Sequence, residues 1–297
     1  MNYERLTIRK ILLIGSALVL LLSLVFLYEF IRFNDGKLHV VFCNVGQGDG
    51  IFIRTSKGLD VLIDGGPDDS VLSCLSKHMP FWDRTIELIF LTHPHADHMR
   101  GLVSVFKRYK VLSFATEKLS NDTVLYKEIL EQVKSEKLKM KNLQQGDRFK
   151  TRDGVMFKIL GPSEEFIERT SPTGKIGESR EFGSLITLVS FGSFDVLLTG
   201  DSQSAGLKEA LADNFSIEIL QVPHHGSRFG LDREIAELLK PHTAIISVGK
   251  NNYGHPSKEV IKILRDLELK ILRTDEHGDI EIEIDSKGKF SVQNLSH

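Results

Sequence analysis

Two cysteines in 297 residues, Cys43 and Cys74, are too few for a zinc knuckle or a disulfide framework. Cys43 falls in an apolar segment with strand character and reads as a small apolar side chain. Strong charge of either sign is missing as well: 38 Lys and Arg against 40 Asp and Glu give a formal −2, so nothing draws the whole chain toward nucleic acid. No fixed-period repeat and no low-complexity tract occurs, which excludes solenoid and linker architectures. Histidine is absent between His98 and His224, and that gap bears on the chemistry below.

The charge that is present is uneven. From Arg100 to Lys158 there are 14 Lys and Arg and seven Asp and Glu, so this stretch carries +7 and the remainder −9. The default reading is a set of solvated faces, with a phosphate-attracting surface as the alternative.

Long apolar runs are also scarce, with one exception. Ile11 to Tyr28 contains no charged residue, and eighteen helical residues rise ~27 Å, close to the hydrocarbon thickness of a bilayer. Phe26 to Phe33 has no small-x-small cleavage pattern, so an uncleaved anchor is expected. Arg5, Arg9 and Lys10 precede the run, offset by Glu4, whereas Glu29, Arg32 and Lys37 follow it. The positive-inside tendency places the amino-terminal tip in the cytoplasm and the rest outside, as a single-pass protein of the cell membrane. With Asn34 to Lys37 as a short linker, the expected organisation is residues 1–37 as tip, anchor and linker and residues 38–297 as one α/β domain.

That domain is organised around Leu88-Ile89-Phe90-Leu91-Thr92-His93-Pro94-His95-Ala96-Asp97-His98. An apolar strand delivers three imidazoles and a carboxylate to its end within six residues, which is the chemistry of a metal site. His93 and His95 have the spacing that puts two side chains on one side of an extended segment, and Asp97 and His98 sit where the chain turns toward a helix, Leu102 to Tyr109. Two pairs of ligands then face two metals.

Around this motif, Leu38 to Phe42, Ile51 to Arg54 and Leu59 to Ile63 read as strands. The loop Val45-Gly46-Gln47-Gly48-Asp49-Gly50 has the glycines needed for close backbone approach, and Asp64 at the third strand's end is a candidate acceptor for the second nitrogen of a ligand histidine. Glu164 to Glu181 reads as a polar loop. Ser184 to Ser190 and Asp195 to Leu198 form a hairpin ending in Asp201, which is either a cation-bridging carboxylate or a helix cap. Ile217 to Val222 leads to His224 and His225. Adjacent histidines at a strand end point apart, so one ligates and the other supports or faces substrate. Further on, Lys250-Asn251-Asn252-Tyr253-Gly254-His255-Pro256 gathers groups that hold an anionic substrate. His39, His78, His242, His277 and His297 lack such company and read as surface or structural.

This order of signals resembles the metallo-β-lactamase superfamily. Val45-Gly46-Gln47-Gly48-Asp49, Leu198-Thr199-Gly200-Asp201, Val222-Pro223-His224-His225-Gly226-Ser227, Asn252-Tyr253-Gly254-His255-Pro256 and Arg273-Thr274-Asp275 are similar, more narrowly, to the carboxyl-terminal domains of DNA-internalisation competence proteins of the ComEC type. The resemblance implies a four-layer αβ/βα sandwich preceded by one transmembrane helix, with two divalent metals, Mn²⁺ or Zn²⁺. One metal would take His93 and His95, the other Asp97, His98 and His225, with Asp201 bridging. The histidine that the superfamily usually supplies before the bridging Asp is missing, as in the competence-type domains, and of their Asn-containing segment ending in Ser only Ser184 persists.

The function implied is a membrane-anchored, dinuclear metal-dependent hydrolase acting as a phosphodiesterase or DNA nuclease, with Asp97 orienting the attacking water and His255 contacting a phosphoryl oxygen or the leaving group. The competing readings are a hydrolase of an envelope phosphodiester, lactone or thioester on the same scaffold, and a non-catalytic binding module. Expected partners are the membrane, through the first helix, and DNA or another phosphodiester. A separate channel protein is compatible with this, but nothing in the sequence indicates one, and a single apolar segment does not build a multi-span channel.

Overall fold

The computed structural model describes residues 2–179, 182–211 and 216–294, so Glu181 and His297 fall outside the described residues. The chain divides into two compact units, Met1–Asp35 and Gly36–His297. The first is a single helix, α1 (Asn2–Phe33), of which Arg9–Phe33 is long and apolar enough to cross a membrane. Its two serines, Ser16 and Ser23, donate back to the carbonyls of Leu13 and Val19, so neither hydroxyl needs an outside partner.

The second unit begins with β1 (Leu38–Phe42), β2 (Ile51–Arg54), β3 (Asp60–Ile63), α2 (Ser70–His78), β4 (Thr85–Ile86), β5 (Leu88–Leu91), α3 (Ala96–Arg108), β6 (Lys110–Val111), β7 (Ser113–Thr116), α4 (Val124–Ser135) and β8 (Lys139–Asn142). It continues with β9 (Arg148–Lys150), β10 (Met156–Gly161), α5 (Glu164–Thr170), β11 (Ile186–Phe191), β12 (Phe194–Leu198), α6 (Ser204–Ala210), β13 (Ile219–Gln221) and a 3-10 turn, Pro223–Gly226. The last elements are α7 (Arg233–Leu239), β14 (Thr243–Ile246), α8 (Lys258–Asp266), β15 (Lys270–Arg273), α9 (Thr274–His277), β16 (Ile280–Ile284) and β17 (Phe290–Asn294).

Eight strands pair in the order β17-β16-β1-β2-β3-β5-β7-β8 and seven in the order β15-β14-β13-β12-β11-β10-β9. Central strands such as β2, β3 and β14 are buried at every position because both faces are covered. Along β1, Val40 and Phe42 enter the core between the two sheets, whereas Val41 and the following Cys43 enter a second core beneath α2, α3 and α4. A third core lies between the other sheet and α6, α7 and α8. Three apolar cores separate four layers, helices–sheet–sheet–helices, which is the αβ/βα sandwich. The topology also fixes where function sits. Strands β3, β5, β7 and β8 run parallel in one sheet and β12 to β15 in the other, and crevices at the carboxyl ends of such strands receive ligands.

Several expectations from the sequence are corrected here. Cys43 is not a lone apolar side chain: it forms a disulfide with Cys74, 31 positions further along the sequence, with Cα atoms 5.7 Å apart. The partner sits on α2, a nine-residue helix without a sequence signal strong enough to place it against β1. Helix α3 begins at Ala96 rather than Leu102, so Asp97 and His98 lie in its first turn. The polar stretch from Glu164 opens as helix α5, with Ser163 capping the Phe166 amide and an apolar face, Phe166 and Ile167, that polar neighbours obscured.

The basic stretch also finds its place. Lys139 and Lys141 lie on β8 and Arg148 and Lys150 on β9, all exposed, and these are the edge strands of the two sheets. Charge along an open edge deters pairing with another chain, which accounts for much of the surplus without any ligand.

Candidate metal centre

The site is built from strand ends. β3 hands over to Asp64, β5 to Thr92 and His93, β12 to Asp201, and β13 to His224 and His225. The first turn of α3 adds Asp97 and His98. Two groups of ligand atoms result, each lying within 4.8 Å of one another: Asp97, His98, Asp201 and His225, and His93, His95 and Asp201. Asp201 belongs to both. Its Oδ1 lies 3.3 Å from His98 Nε2 and 3.4 Å from His225 Nε2, and its Oδ2 lies 3.7 Å from His93 Nε2.

The adjacent histidines do not point apart. Both leave the extended conformation for the left-handed region, with φ of 50° at His224 and 55° at His225, and Gly226 follows at 80°. That turn aims both rings at one carboxylate. His225 meets Oδ1 of Asp201, and His224 Nε2 lies 3.5 Å from Oδ2, the oxygen on the His93 side. Alternation along a strand holds only where the strand continues, and here it has ended.

The Nδ1 atoms of His98, His225 and His93 are held from behind. His98 Nδ1 lies 2.7 Å from Asp64 Oδ2, and Asp64 also accepts from the amide and hydroxyl of Thr92. His225 Nδ1 faces the Ser247 carbonyl at 2.9 Å. His93 Nδ1 lies 3.0 Å from the Thr92 hydroxyl and 3.3 Å from that of Ser184, whose oxygen also accepts from the Asp201 amide. Such backing fixes both orientation and tautomer of a metal-binding imidazole. Asp49 stands further out, 3.8 Å from His98 Nδ1 and 3.7 Å from His225 Nδ1, and accepts from Gln221. Gly48 makes that approach feasible: a Cβ there would fall 2.2 Å from the Asp97 carbonyl oxygen.

Buried charge sets the protonation. Burial pushes Asp201 toward the neutral acid, and the imidazoles of His225 and His98 outweigh it, holding the carboxyl well below the usual range. Burial likewise opposes charge on His98, but Asp201 and Asp64 lift it well above its ordinary value, and Asp201 and Asp97 lift His225 to about 9. His93, His95 and His224 are pulled down, chiefly by burial, which leaves neutral imidazole ready to coordinate.

The residues fit divalent cations. Asp201 Oδ1, His98 Nε2 and His225 Nε2 are buried, converge on one point and have no hydrogen-bond partner. Unsatisfied buried polar atoms are rare and costly, and three converging on one point are the donor set a cation would satisfy. Imidazole and carboxylate donors suit Zn²⁺ and Mn²⁺.

Other expected residues lie beside rather than within these groups. His255 joins neither, its ring 5.5 Å from that of His224, and burial lowers it to about 4. Asn252 and Tyr253 line a cavity of about 750 Å³ that reaches Asp97, together with Arg100 and Lys250. Sequence reasoning missed Thr92, Ser247 and Gln221, which brace the site, and Asn251, which holds the loop by accepting from the Tyr253 and His255 amides. Only Gln221, polar at the end of an otherwise apolar strand, left a signal that a reader might have used.

Comparison with known proteins follows this geometry. Residues 43–140 match the Metallo-beta-lactamase superfamily. The chain is 27% identical to ComE operon protein 3 of Bacillus subtilis (strain 168) over 98% of its own length and 38% of that protein's, so it spans well under half of the relative. It is 29% identical to competence protein ComA of Neisseria gonorrhoeae over 48% of this chain and 20% of that protein. Among solved structures, Igni18, a metallo hydrolase from the archaeon Ignicoccus hospitalis KIN4/I, superposes with a TM-score of 0.52 at 13% identity, covering 87% of this chain and all of the other. Similarity so low in sequence speaks for the fold alone, and with the layers and strand-end site described above it leads to one conclusion: the chain has the metallo-β-lactamase fold, with residues 43–140 matching that superfamily, and is similar in sequence to competence proteins.

Proposed function

We propose that this protein is a membrane-anchored phosphodiesterase that cuts DNA, dependent on two divalent metal ions. The observation that carries the reading is the shared carboxylate, with Asp201 turning one oxygen to His98 and His225 and the other to His93 and His224. Similarity to competence proteins over nearly the whole chain supports DNA as the substrate. His93, His95 and Asp201 would hold one ion and Asp97, His98, Asp201 and His225 the other. Bound there, the ions supply Lewis acidity toward water and a phosphoryl oxygen.

The chain's own residues do the rest. Asp97, half-buried at the cavity floor, accepts a hydrogen bond from the attacking water and orients it. His224 and His255 flank the opposite side, where an N–H donor faces a phosphoryl oxygen or the departing oxygen. Lys250 and Arg100 at the mouth attract the anion. The Cys43–Cys74 disulfide supports a domain outside the cytoplasm, where such bonds persist, in keeping with the basic residues that precede the apolar run of α1. The test is hydrolysis of a chromogenic phosphodiester and of DNA by the full chain in detergent, with metal content measured in parallel. Two ions per chain with Mn²⁺- or Zn²⁺-dependent cleavage of both substrates is the expected result. Hydrolysis of a lactone or thioester but no phosphodiester overturns the proposal in favour of another chemistry on this scaffold, and metal binding with no hydrolysis overturns it in favour of a binding module.

A further inference from the structure

Two cavities meet at Tyr253. The first, about 750 Å³, holds Asp97, Arg100 and Lys250, and the second, about 440 Å³, holds His255, Arg228, Phe229 and Lys258. Tyr253 lines both, so the depression passes the metal centre on two sides instead of ending at it. Its surface chemistry is unusual in two respects. Tyr253 is 77% exposed and Phe229 48%, large rings left in water where no core requires them. Four cations, Arg100, Lys250, Arg228 and Lys258, line the two cavities without a carboxylate partner among the described residues. Among the described residues, Asp97 and Glu259 are the only carboxylates lining either cavity. The Arg228 guanidinium lies 4.6 Å from the Phe229 ring centre, so cation and ring form one platform.

We propose that the two cavities form a single track for one polynucleotide strand, in which Tyr253 and Phe229 stack on bases and the four cations meet phosphates on both sides of the metal centre. This rests on the phosphodiesterase reading and extends it. A polyanion alone would need only the cations, whereas exposed rings interleaved with them match unpaired bases, whose faces a duplex hides. Binding on both sides places an internal bond, not a terminal one, before Asp97. Hydrolysis there adds one water across a P–O bond, leaving a phosphomonoester on one fragment and a hydroxyl on the other, and needs no co-reactant.

Binding of a labelled single strand to the full chain, measured by fluorescence anisotropy in chelator, tests the track without reference to hydrolysis. Phe229→Ala and Arg228→Ala are each expected to weaken binding about tenfold, the scale of one stacked base, and Lys258→Glu to weaken it further, with circular dichroism confirming the fold. Unchanged binding in all three variants overturns the track, as does equal competition by duplex or by a poly(glycerol phosphate). With Mn²⁺ restored, a circular single strand is expected to be cut as fast as a linear one, and a circle left intact while the linear strand is degraded overturns internal cleavage. If the wild-type chain fails on the chromogenic diester, the phosphodiesterase reading has failed, whereas success there with unaltered variant binding defeats the track alone.

Discussion

At the scale of single residues, the centre depends on groups that never touch a metal. Asp64 receives three hydrogen bonds, from the Thr92 amide, the Thr92 hydroxyl and His98 Nδ1, and is wholly buried. Asp64→Asn puts an amide where a carboxylate faced His98 and removes the charge that favours the ligand's proton. Metal affinity is therefore expected to fall by about 10- to 100-fold, read by calorimetric titration with Mn²⁺ or Zn²⁺. Retention of full affinity would mean that the ring is oriented by packing alone. The ligand candidates themselves were legible in sequence because four of the six, His93, His95, Asp97 and His98, cluster in one short motif after an apolar strand, and Asp201 and His225 each follow another. What was illegible is backbone sign: nothing in His224-His225 announces two consecutive left-handed residues, so the pair's convergence on Asp201 emerged only in three dimensions.

Elements show the same division between pattern and context. Strands β1 and β2 were readable to the residue, since apolar and β-branched side chains bounded by turn residues leave few alternatives. Strand β8, Lys139-Met140-Lys141-Asn142, is exposed at every position and carries no burial pattern to read. Helix α2 was missed, and with it the disulfide. Replacing Cys43 and Cys74 by Ser releases a loop of 31 residues and is expected to cost about 3–4 kcal/mol in urea denaturation, if the chain-entropy account applies. A loss under 1 kcal/mol would show that α2 is held by its apolar face alone.

The same helix carries a second device. His78 is buried, with Asp279 at 3.5 Å on one nitrogen and Glu281 at 3.5 Å on the other, while Lys77 and the Asn44 amide also reach Asp279, and His39 reaches Glu281. Burial alone would raise both carboxyls, but these partners hold Asp279 down to about 2 and Glu281 well below its usual range. Against the same burial, the two carboxylates raise His78. A depressed acid stabilises the fold above its unfolded pKa and loses that contribution as pH falls. A raised histidine stabilises it below its unfolded pKa and loses that contribution as pH rises. The two windows overlap between roughly pH 4 and 6.5. Asp279→Asn is thus expected to cost about 2 kcal/mol in that interval and less on either side. Denaturation midpoints across pH check this, and a pH-independent cost would discount the ion pairs.

For the whole molecule, the arrangement of charge matters more than its sum. The surplus between Arg100 and Lys158 largely guards two sheet edges, and only Arg100 of that stretch lines the cavity at Asp97. The rest of the cavity's positive lining comes from distant loops that a linear count could not assemble. A cation held by these converging buried donors would bind the folded chain alone, which couples metal binding to stability. Chelation is expected to lower the thermal midpoint of the full chain and Mn²⁺ or Zn²⁺ to restore it in proportion to ion concentration. An unchanged midpoint would indicate that the donors rest comfortably without an ion. Topology is expected to be reported by added protease on intact cells. Digestion of the Gly36–His297 unit accords with an outward-facing domain, and its protection would reverse the orientation.

The first strand of the domain lies against its penultimate one, with Leu38 opposite Ile284. Beyond it β17 runs back, so that Asn294 lies opposite Ile280, at the Phe42 end of β1 and not the Leu38 end. The strand that follows the linker is thus an interior one, paired with β16 on one side and β2 on the other, and tension on the linker is shared by a whole ladder instead of peeling away a loose edge.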